Sequence, residues 1–179
     1  DTFTNCEILF DISGSMSGPG LDNGFKYVVL FALLYDDVQF QIFNTELGQT
    51  TKNEITFINE IKLGNLSKAK GALQSDGGTA LLDCLGKLIT NKPQASTFIV
   101  ISDEVSWDEG KDLLPYINKI NILLKDKKLI LINPVVSKGT VFDKNVVALA
   151  SLTSTIVRDI QLHQNQKTFI EYIKNYTCV

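Results

Sequence analysis

Asp11, Ser13 and Ser15 give the clearest chemical signal in this sequence. They stand at alternate positions directly after the apolar residues 8–10. In an extended turn, the oxygen atoms of side chains at alternate positions can converge on one point. One carboxylate and two hydroxyls form a set of hard oxygen donors, which suits Mg²⁺ or Mn²⁺ better than a soft metal. This spacing predicts part of a divalent-cation site, to which other loops must add ligands.

Two more loops carry suitable oxygen donors. Thr79 follows two glycines and opens a predicted helix, and Asp103 comes soon after the apolar run 97–101. Glycine lets the backbone approach closely, and a hydroxyl at a helix start can point outwards. Ligands of open α/β sheets bind outside the carboxyl ends of the strands, where these loops would meet. We therefore predict one metal site of three hydroxyls and two carboxylates, formed by Asp11, Ser13, Ser15, Thr79 and Asp103.

The elements that must position these loops alternate between strands and helices. Short apolar or alternating runs predict strands at 8–10, 38–43, 97–101, 129–132 and 156–157. Apolar residues at helical spacing predict helices at 22–35, 53–62, 79–92, 108–125, 143–152 and 163–177, with a short helical piece at 66–73. Residues 44–51 are expected to turn into a short edge strand. This alternation predicts an α/β fold: a doubly wound, mostly parallel, Rossmann-like sheet of about six strands flanked by helices.

Composition and charge favour a single globular domain over residues 1–179. The chain is 44% hydrophobic, and its net charge of −3 gives no electrostatic reason to expect nucleic-acid or membrane binding. No apolar run approaches the roughly 20 residues of a membrane span, and no signal peptide is recognisable. We therefore expect neither nucleic acid nor a membrane among its partners.

The three cysteines leave two compartments open. None lies in a Cys-x-x-Cys or Cys/His cluster, which argues against zinc and favours a reducing, cytoplasmic location. Cys6 opens the first strand and Cys178 follows the last predicted helix, and the termini of a domain often lie close together. A disulfide between these two residues is the alternative, and it would favour an extracellular protein. Glycosylation sequons at Asn65 and Asn175 would fit the same alternative.

The three loops together resemble the metal-ion-dependent adhesion site (MIDAS) of von Willebrand factor A domains. The family motif is Asp-x-Ser-x-Ser, then a Thr on a second loop and an Asp on a third. This sequence has Asp-Ile-Ser-Gly-Ser at 11–15, Gly-Gly-Thr at 77–79 and Ser-Asp at 102–103, so all five positions are matched in order. The resemblance covers essentially the whole chain, and it implies the von Willebrand A fold.

Two segments resemble the C-terminal A domain of Ro (TROVE) ribonucleoproteins more closely. They are Gly-Gly-Thr-Ala-Leu-Leu-Asp at 77–83 and Ser-Asp-Glu-Val-Ser-Trp at 102–107. The Ro family has Ser-Asp-Asn-Glu followed by an aromatic residue, so the second match is imperfect. Ro proteins bind small RNAs through a ring of helical repeats that has no counterpart in this sequence. We therefore expect no direct RNA binding.

The resemblance implies a binding module rather than an enzyme. In the family, the seryl and threonyl oxygens ligate the cation, and the aspartates act directly or through water. Mapped onto this chain, Ser13, Ser15 and Thr79 would hold Mg²⁺ or Mn²⁺, with Asp11 and Asp103 beside them. The resemblance also implies that a Glu or Asp side chain of a partner protein would fill the open coordination position. Many A domains couple this ligation to movement of the C-terminal helix, which here is the predicted helix 163–177.

Ordinary roles and other functions stay open at this point. Taken singly, Ser13 and Ser15 could complete a turn, and Thr79 could cap a helix. The sequence lacks Gly-x-Ser-x-Gly, a P-loop and Gly-x-Gly-x-x-Gly, and His163 is its only histidine, which disfavours triad hydrolases and nucleotide-binding enzymes. Two alternatives remain. One is a metal-dependent hydrolase with Glu104 as its general base, and the other is a structural or assembly domain whose metal site is vestigial.

Overall fold

A parallel β-sheet forms the centre of the computed structural model, which describes residues 5–34, 38–48, 52–103, 114–125, 127–134 and 156–157. The strands of this sheet are β1 (Cys6–Asp11), β2 (Gln39–Phe43), β3 (Thr97–Ile101), β4 (Lys128–Ile132) and β5 (Ile156–Val157). They lie in the order β2-β1-β3-β4-β5, and every pairing is parallel. The predicted doubly wound α/β fold is confirmed, and its strand order reverses between β1 and β3.

Helices connect the strands, and their boundaries follow local backbone chemistry. Within the described ranges they are α1 (Pro19–Leu34), α2 (Lys52–Lys62), α3 (Leu66–Ala72), α4 (Leu81–Asn91) and α5 (Leu114–Leu123), with a 3₁₀ turn at Gly14–Met16. α1 begins before the predicted residue 22. Gly18 takes a φ of +72° just ahead of the helix, and Pro19 is suited to the first helical position.

Alternating side chains on each strand divide the core between the two faces of the sheet. Phe10 faces α1 and α2, and the centroids of its ring and the ring of Phe57 lie 6.1 Å apart. Leu9 faces the opposite layer, to which α4 and α5 contribute buried residues such as Leu85 and Ile117. Because helices cover both faces, β1 and β3 are buried along their whole length.

Glycine at position 24 allows α1 to pack closely onto β1. A Cβ atom at Gly24 would lie 2.5 Å from Cε2 of Phe10, which is closer than real side-chain contacts. A larger residue would push α1 away from the strand. The loop that carries Ser13 and Ser15 connects β1 to α1.

Several predictions concern residues outside the described ranges. These are the helices at 143–152 and 163–177, the first part of the helix at 108–125, and the residues Glu104, His163 and Cys178. Of the predicted edge segment, residues up to 48 are described, and Leu47 makes an isolated antiparallel bridge to Phe43. In the part of the chain that the structure describes, no helix is both long enough and apolar enough to cross a membrane.

Candidate metal centre

The predicted site lies where the strand order of the sheet reverses. β1 ends at Asp11, and its neighbour β3 ends directly before Ser102 and Asp103. Because the strands are parallel, their carboxyl ends meet at the same edge of the sheet. The crevice at such a switch point is the usual ligand site of doubly wound sheets. The fold thus brings two aspartates that are distant in sequence to one place.

Both carboxylate oxygens of Asp11 accept hydrogen bonds within the protein. The backbone N–H of Ser13 donates to Oδ1 at 2.8 Å, and the hydroxyl of Ser102 donates to Oδ2 at 2.6 Å. The residue is fully buried, with 0% of its surface exposed. These two donors fix the orientation of the carboxylate.

The charge of Asp11 is not balanced by an ion pair to any residue that the structure describes. Burial raises the pKa of this carboxyl to about 6, although the hydrogen bonds from Ser102 and Ser13 act to lower it. The negative charge of Asp103, itself a buried residue, raises the pKa further. Buried charges in proteins are usually paired or bound to metal ions. A bound cation would supply the missing positive charge.

The two serines present their hydroxyls close together. Ser13 Oγ lies 3.1 Å from Ser15 Oγ, and Ser13 is buried whereas Ser15 is exposed. Ser13 occupies the N-cap position of the 3₁₀ turn, but its side chain makes no capping hydrogen bond. The hydroxyl of Ser13 therefore does not cap the turn. Of the two serines, Ser13 is buried like Asp11, and Ser15 is exposed to solvent.

The loop at 76–79 is tied to the loop that carries the serines by backbone hydrogen bonds. The N–H of Gly14 donates to the carbonyl of Gly77, and the N–H of Asp76 donates to the carbonyl of Ile12, each at 2.9 Å. Gly77 has a φ of +74°, a conformation that favours glycine. These two bonds join the loops side by side at the edge of the sheet.

Thr79 belongs to this loop rather than to the helix that follows. The prediction that Thr79 opens the helix was wrong, because Ala80 is the N-cap and α4 begins at Leu81. The threonine is buried, with 4% of its surface exposed. It therefore lies in a loop that adjoins Ser13, and it is not the N-cap that the local sequence suggested.

Two residues that support the site were not predicted from the sequence. Ser102 holds the carboxylate at the end of β1. Asn44, directly after β2, accepts a hydrogen bond from the N–H of Ala80 through its backbone carbonyl at 2.9 Å, and its side-chain amide donates to the carbonyl of Asp76 at 3.4 Å. Each follows the end of a strand, so both reach the same edge as the candidate ligands. Their position after a predicted strand is the signal that could have identified them.

The candidate ligands fit a hard divalent cation better than zinc. Within the described ranges, no group of three or more His, Cys, Asp or Glu side chains could hold a metal ion. The candidate donors are instead two carboxylates and three hydroxyls, all of them oxygen, which is the ligand type that Mg²⁺ and Mn²⁺ prefer. The buried carboxylate without a cationic partner agrees with this chemistry.

Comparisons with known proteins give one distant structural similarity to report. No protein-family model matches the sequence, and no curated protein matches it significantly. Among solved structures, the chain is similar to the crystal structure of the RO (RSR) protein of Deinococcus radiodurans, with 20% sequence identity and a TM-score of 0.47. The similarity covers 73% of this chain and 27% of that chain, so it involves about a quarter of the length of the Deinococcus protein. A similarity at this level carries no argument about function.

Proposed function

We propose that this chain is a divalent-cation-dependent binding module. The proposed ligands of Mg²⁺ or Mn²⁺ are Asp11, Ser13, Ser15, Thr79 and Asp103, and the cation would in turn ligate a Glu or Asp side chain of a partner protein. One observation carries the proposal. The carboxylate of Asp11 is completely buried and has no cationic partner among the described side chains.

An anion in this position carries an electrostatic penalty that a cation would remove. Burial disfavours the ionised form of Asp11, and the charge of Asp103 adds to that effect. The fold nevertheless directs two hydrogen-bond donors at Asp11, and these favour the ionised carboxylate. A divalent ion is the largest local charge in any site that holds one, and it would stabilise both carboxylates. We infer that the site is prepared in an ionised form for a cation.

The same donor set favours an acidic partner. Three of the five proposed ligands are neutral hydroxyls, so two negative charges at most would come from the protein. An ion held in this way remains able to attract one more carboxylate. The exposed hydroxyl of Ser15 lies on the side from which solvent, and hence a partner, can reach the hydroxyl pair. A Glu or Asp side chain therefore fits this position better than a neutral one.

Thermal unfolding with and without metal tests the cation. Wild type, Asp11→Ala and Asp22→Ala are compared in EDTA and in excess Mg²⁺ or Mn²⁺. Asp22→Ala is the matched control, because it removes a carboxylate that is 58% exposed and belongs to α1. A cation that binds only the folded chain stabilises it by about 2.7 kcal/mol at a hundredfold excess over its dissociation constant. We expect this shift for wild type and Asp22→Ala, and its loss in Asp11→Ala.

Two results would contradict the proposal. If wild type does not respond to either cation, the domain is better described as a structural or assembly unit. If Asp11→Ala responds as strongly as wild type, the cation binds elsewhere.

The acidic partner is tested separately with a minimal probe. N-acetylglutamic acid amide is titrated against the Mg²⁺-loaded chain while the backbone amide resonance of Ser15 is followed by NMR. We expect saturable shifts in Mg²⁺ that disappear in EDTA, and no shift with N-acetylglutamine amide. Equal shifts with both compounds would show that the cation does not select a carboxylate.

A further inference from the structure

A second surface lies between α4 and α5, and none of the proposed metal ligands lines it. The two helices pack on the same face of the sheet and leave a groove of about 400 Å³ between them. Its floor includes the buried side chains of Leu82 and Ile120, and Tyr116 lines it with 51% of its surface exposed. The volume falls within the range of about 300–1,000 Å³ that is typical of ligand pockets.

Gly86 keeps this groove open. It lies in the middle of α4, where glycine weakens a helix relative to alanine. The residue is buried, yet a Cβ atom built on it would meet no heavy atom within 4 Å beyond its two chain neighbours and the nearby backbone of its own helix. Close packing within the described part of the chain therefore does not explain the glycine. An occupant of the groove would explain it, because any side chain at this position would fill the space that the occupant needs.

The rim of the groove is positively charged. Lys87 forms an ion pair with Asp83 on the same helix, with Nζ and Oδ2 at 2.6 Å. Lys119, on α5, also lines the groove and is exposed, and it takes part in none of the ion pairs between described residues. The groove thus carries a net positive charge on a chain whose net charge is −3. An apolar floor with a lysine at its rim complements an apolar group that stands next to an acidic one.

We propose that this groove docks a segment of a partner protein that presents an aromatic or branched aliphatic side chain next to a carboxylate. The apolar side chain lies over Gly86 between Leu82 and Ile120. The carboxylate pairs with Lys119. This docking does not depend on the metal proposed above.

The dipeptide N-acetyl-Phe-Glu-amide is the probe for this surface. It is titrated in EDTA, so that its carboxylate cannot bind a cation, while the backbone amide resonances of Gly86 and Lys119 are followed by NMR. A compound of this size is expected to bind with a dissociation constant of about 1 to 10 mM. N-acetyl-Phe-Gln-amide lacks the charge and N-acetyl-Ala-Glu-amide lacks the ring, so both should bind more weakly.

Two substitutions locate the site. Gly86→Leu fills the groove and should abolish the shifts. Gly71→Leu is its matched control, because Gly71 lies in a different helix, α3, and a Cβ atom there likewise meets nothing within 4 Å beyond the local backbone. Lys119→Gln should weaken binding of the acidic probe about twofold to fivefold, as expected for an exposed ion pair, and should leave binding of the Phe-Gln compound unchanged.

Three outcomes would overturn the proposal. The first is the absence of saturable shifts at Gly86 and Lys119 in the wild-type chain. The second is binding by Gly86→Leu that equals the binding by Gly71→Leu. The third is a melting temperature for Gly86→Leu far below that of Gly71→Leu, which would mean that another segment of the same chain fills the groove. Because the titration is made in EDTA, it does not depend on a bound cation. A negative result for the groove therefore leaves the cation proposal unaffected, and a negative result for the cation leaves the groove proposal unaffected.

Discussion

Strand β1 carries a buried carboxylate near each end, and the two differ in whether a lysine pairs with them. Glu7, near the amino end, is bound by Lys92 from the C-cap of α4, with Nζ and Oε1 at 3.1 Å. Asp11, at the carboxyl end, is bound by a hydroxyl and a backbone N–H, and no described lysine pairs with it. One carboxylate has its counter-charge built into the fold, and the other does not.

We interpret this difference as one between a structural charge and the charge of the proposed cation site. Lys92 supplies the counter-charge of Glu7 within the fold, so this carboxylate needs no external cation. The hydrogen bonds to Asp11 orient its carboxylate without neutralising it, and its pKa of about 6 reports the cost of leaving the charge unpaired. Unbalanced charge at the switch point of the sheet, with balanced charge at the opposite edge, is the pattern expected of a cation-binding face.

The largest loss of stability is expected when the ion pair between Lys92 and Glu7 is broken. Lys92→Ala leaves the carboxylate of Glu7 93% buried without its cation, and one of its oxygens, Oε2, already lacks a hydrogen-bond partner among the described residues. Because the side chain of Lys92 is 38% exposed, we expect a loss of about 2 to 4 kcal/mol in the free energy of unfolding, measured by urea denaturation. Lys92→Arg should retain most of the stability. If Lys92→Ala changed the free energy of unfolding by less than about half a kcal/mol, the pair would contribute no more than an exposed ion pair, and the comparison would be wrong.

Removing the charge of Asp11 should stabilise the metal-free fold, whereas removing Lys92 should destabilise it. Its folded-state pKa of about 6 lies above the ordinary value of 3.8, so this carboxyl stabilises the metal-free fold at low pH, and that contribution is lost as the pH rises through about 6. Relative to Asp11→Asn in EDTA, the wild-type chain should lose about 1 to 3 kcal/mol between about pH 4 and pH 7. Excess Mg²⁺ should abolish or reverse this difference. If the free energy of unfolding changed with pH in the same way for wild type and Asp11→Asn in EDTA, the prediction that Asp11 carries an unpaired buried charge would be wrong.

Ser102 sharpens the comparison, because it touches the unbalanced carboxylate without being a proposed ligand. Ser102→Ala removes the hydroxyl that donates to Oδ2 of Asp11. Loss of such a supporting hydrogen bond typically lowers metal affinity about 10- to 100-fold. Isothermal titration with Mn²⁺ should show this loss, whereas Ser67→Ala, at an exposed position on α3, should bind as wild type does. Unchanged affinity in Ser102→Ala would mean that the carboxylate needs no fixed orientation.

The smallest effect is expected from an ion pair at the surface. Lys70 and Asp22 lie 3.3 Å apart, and their side chains are 59% and 58% exposed. Water screens such a pair, so Lys70→Ala should change the free energy of unfolding by less than about 1 kcal/mol. Measured beside Lys92→Ala, it separates the effect of burial from the effect of losing a positive charge. If Lys70→Ala and Lys92→Ala lost the same free energy of unfolding, burial of the carboxylate would not explain the effect of Lys92.

Much of the fold could be predicted because the sequence alternates clearly. The apolar run at 98–101 has the pattern of a strand buried on both faces, and the structure places β3 there with helices on either side. Helix ends were harder to predict, since a hydroxyl after two glycines has the local pattern of an N-cap. In the structure Thr79 stays in the loop, because the hydrogen bonds at Gly14 and Asp76 hold that loop against its neighbour.

Local pattern could place the supporting residues Ser102 and Asn44 at the carboxyl ends of strands, but it could not show which group each of them contacts. The partner of Ser102 is on β1, and the pairing follows from β1 and β3 being neighbours in the sheet. Hydrophobic periodicity shows which face of a strand is buried, but it does not show which strand lies beside it. Asn44 was missed for the same reason, since it acts on a loop far from it in sequence.

The backbone hydrogen bonds between the loops at 12–14 and 76–77 have a kinetic consequence. Since these loops are already joined in the folded chain, binding of the proposed cation should cost little conformational entropy. The slow step would then be the removal of water from the ion, which Mg²⁺ gives up reluctantly. Rates of cation entry should therefore differ between metals according to how tightly each holds its hydration shell, rather than according to any motion of the protein.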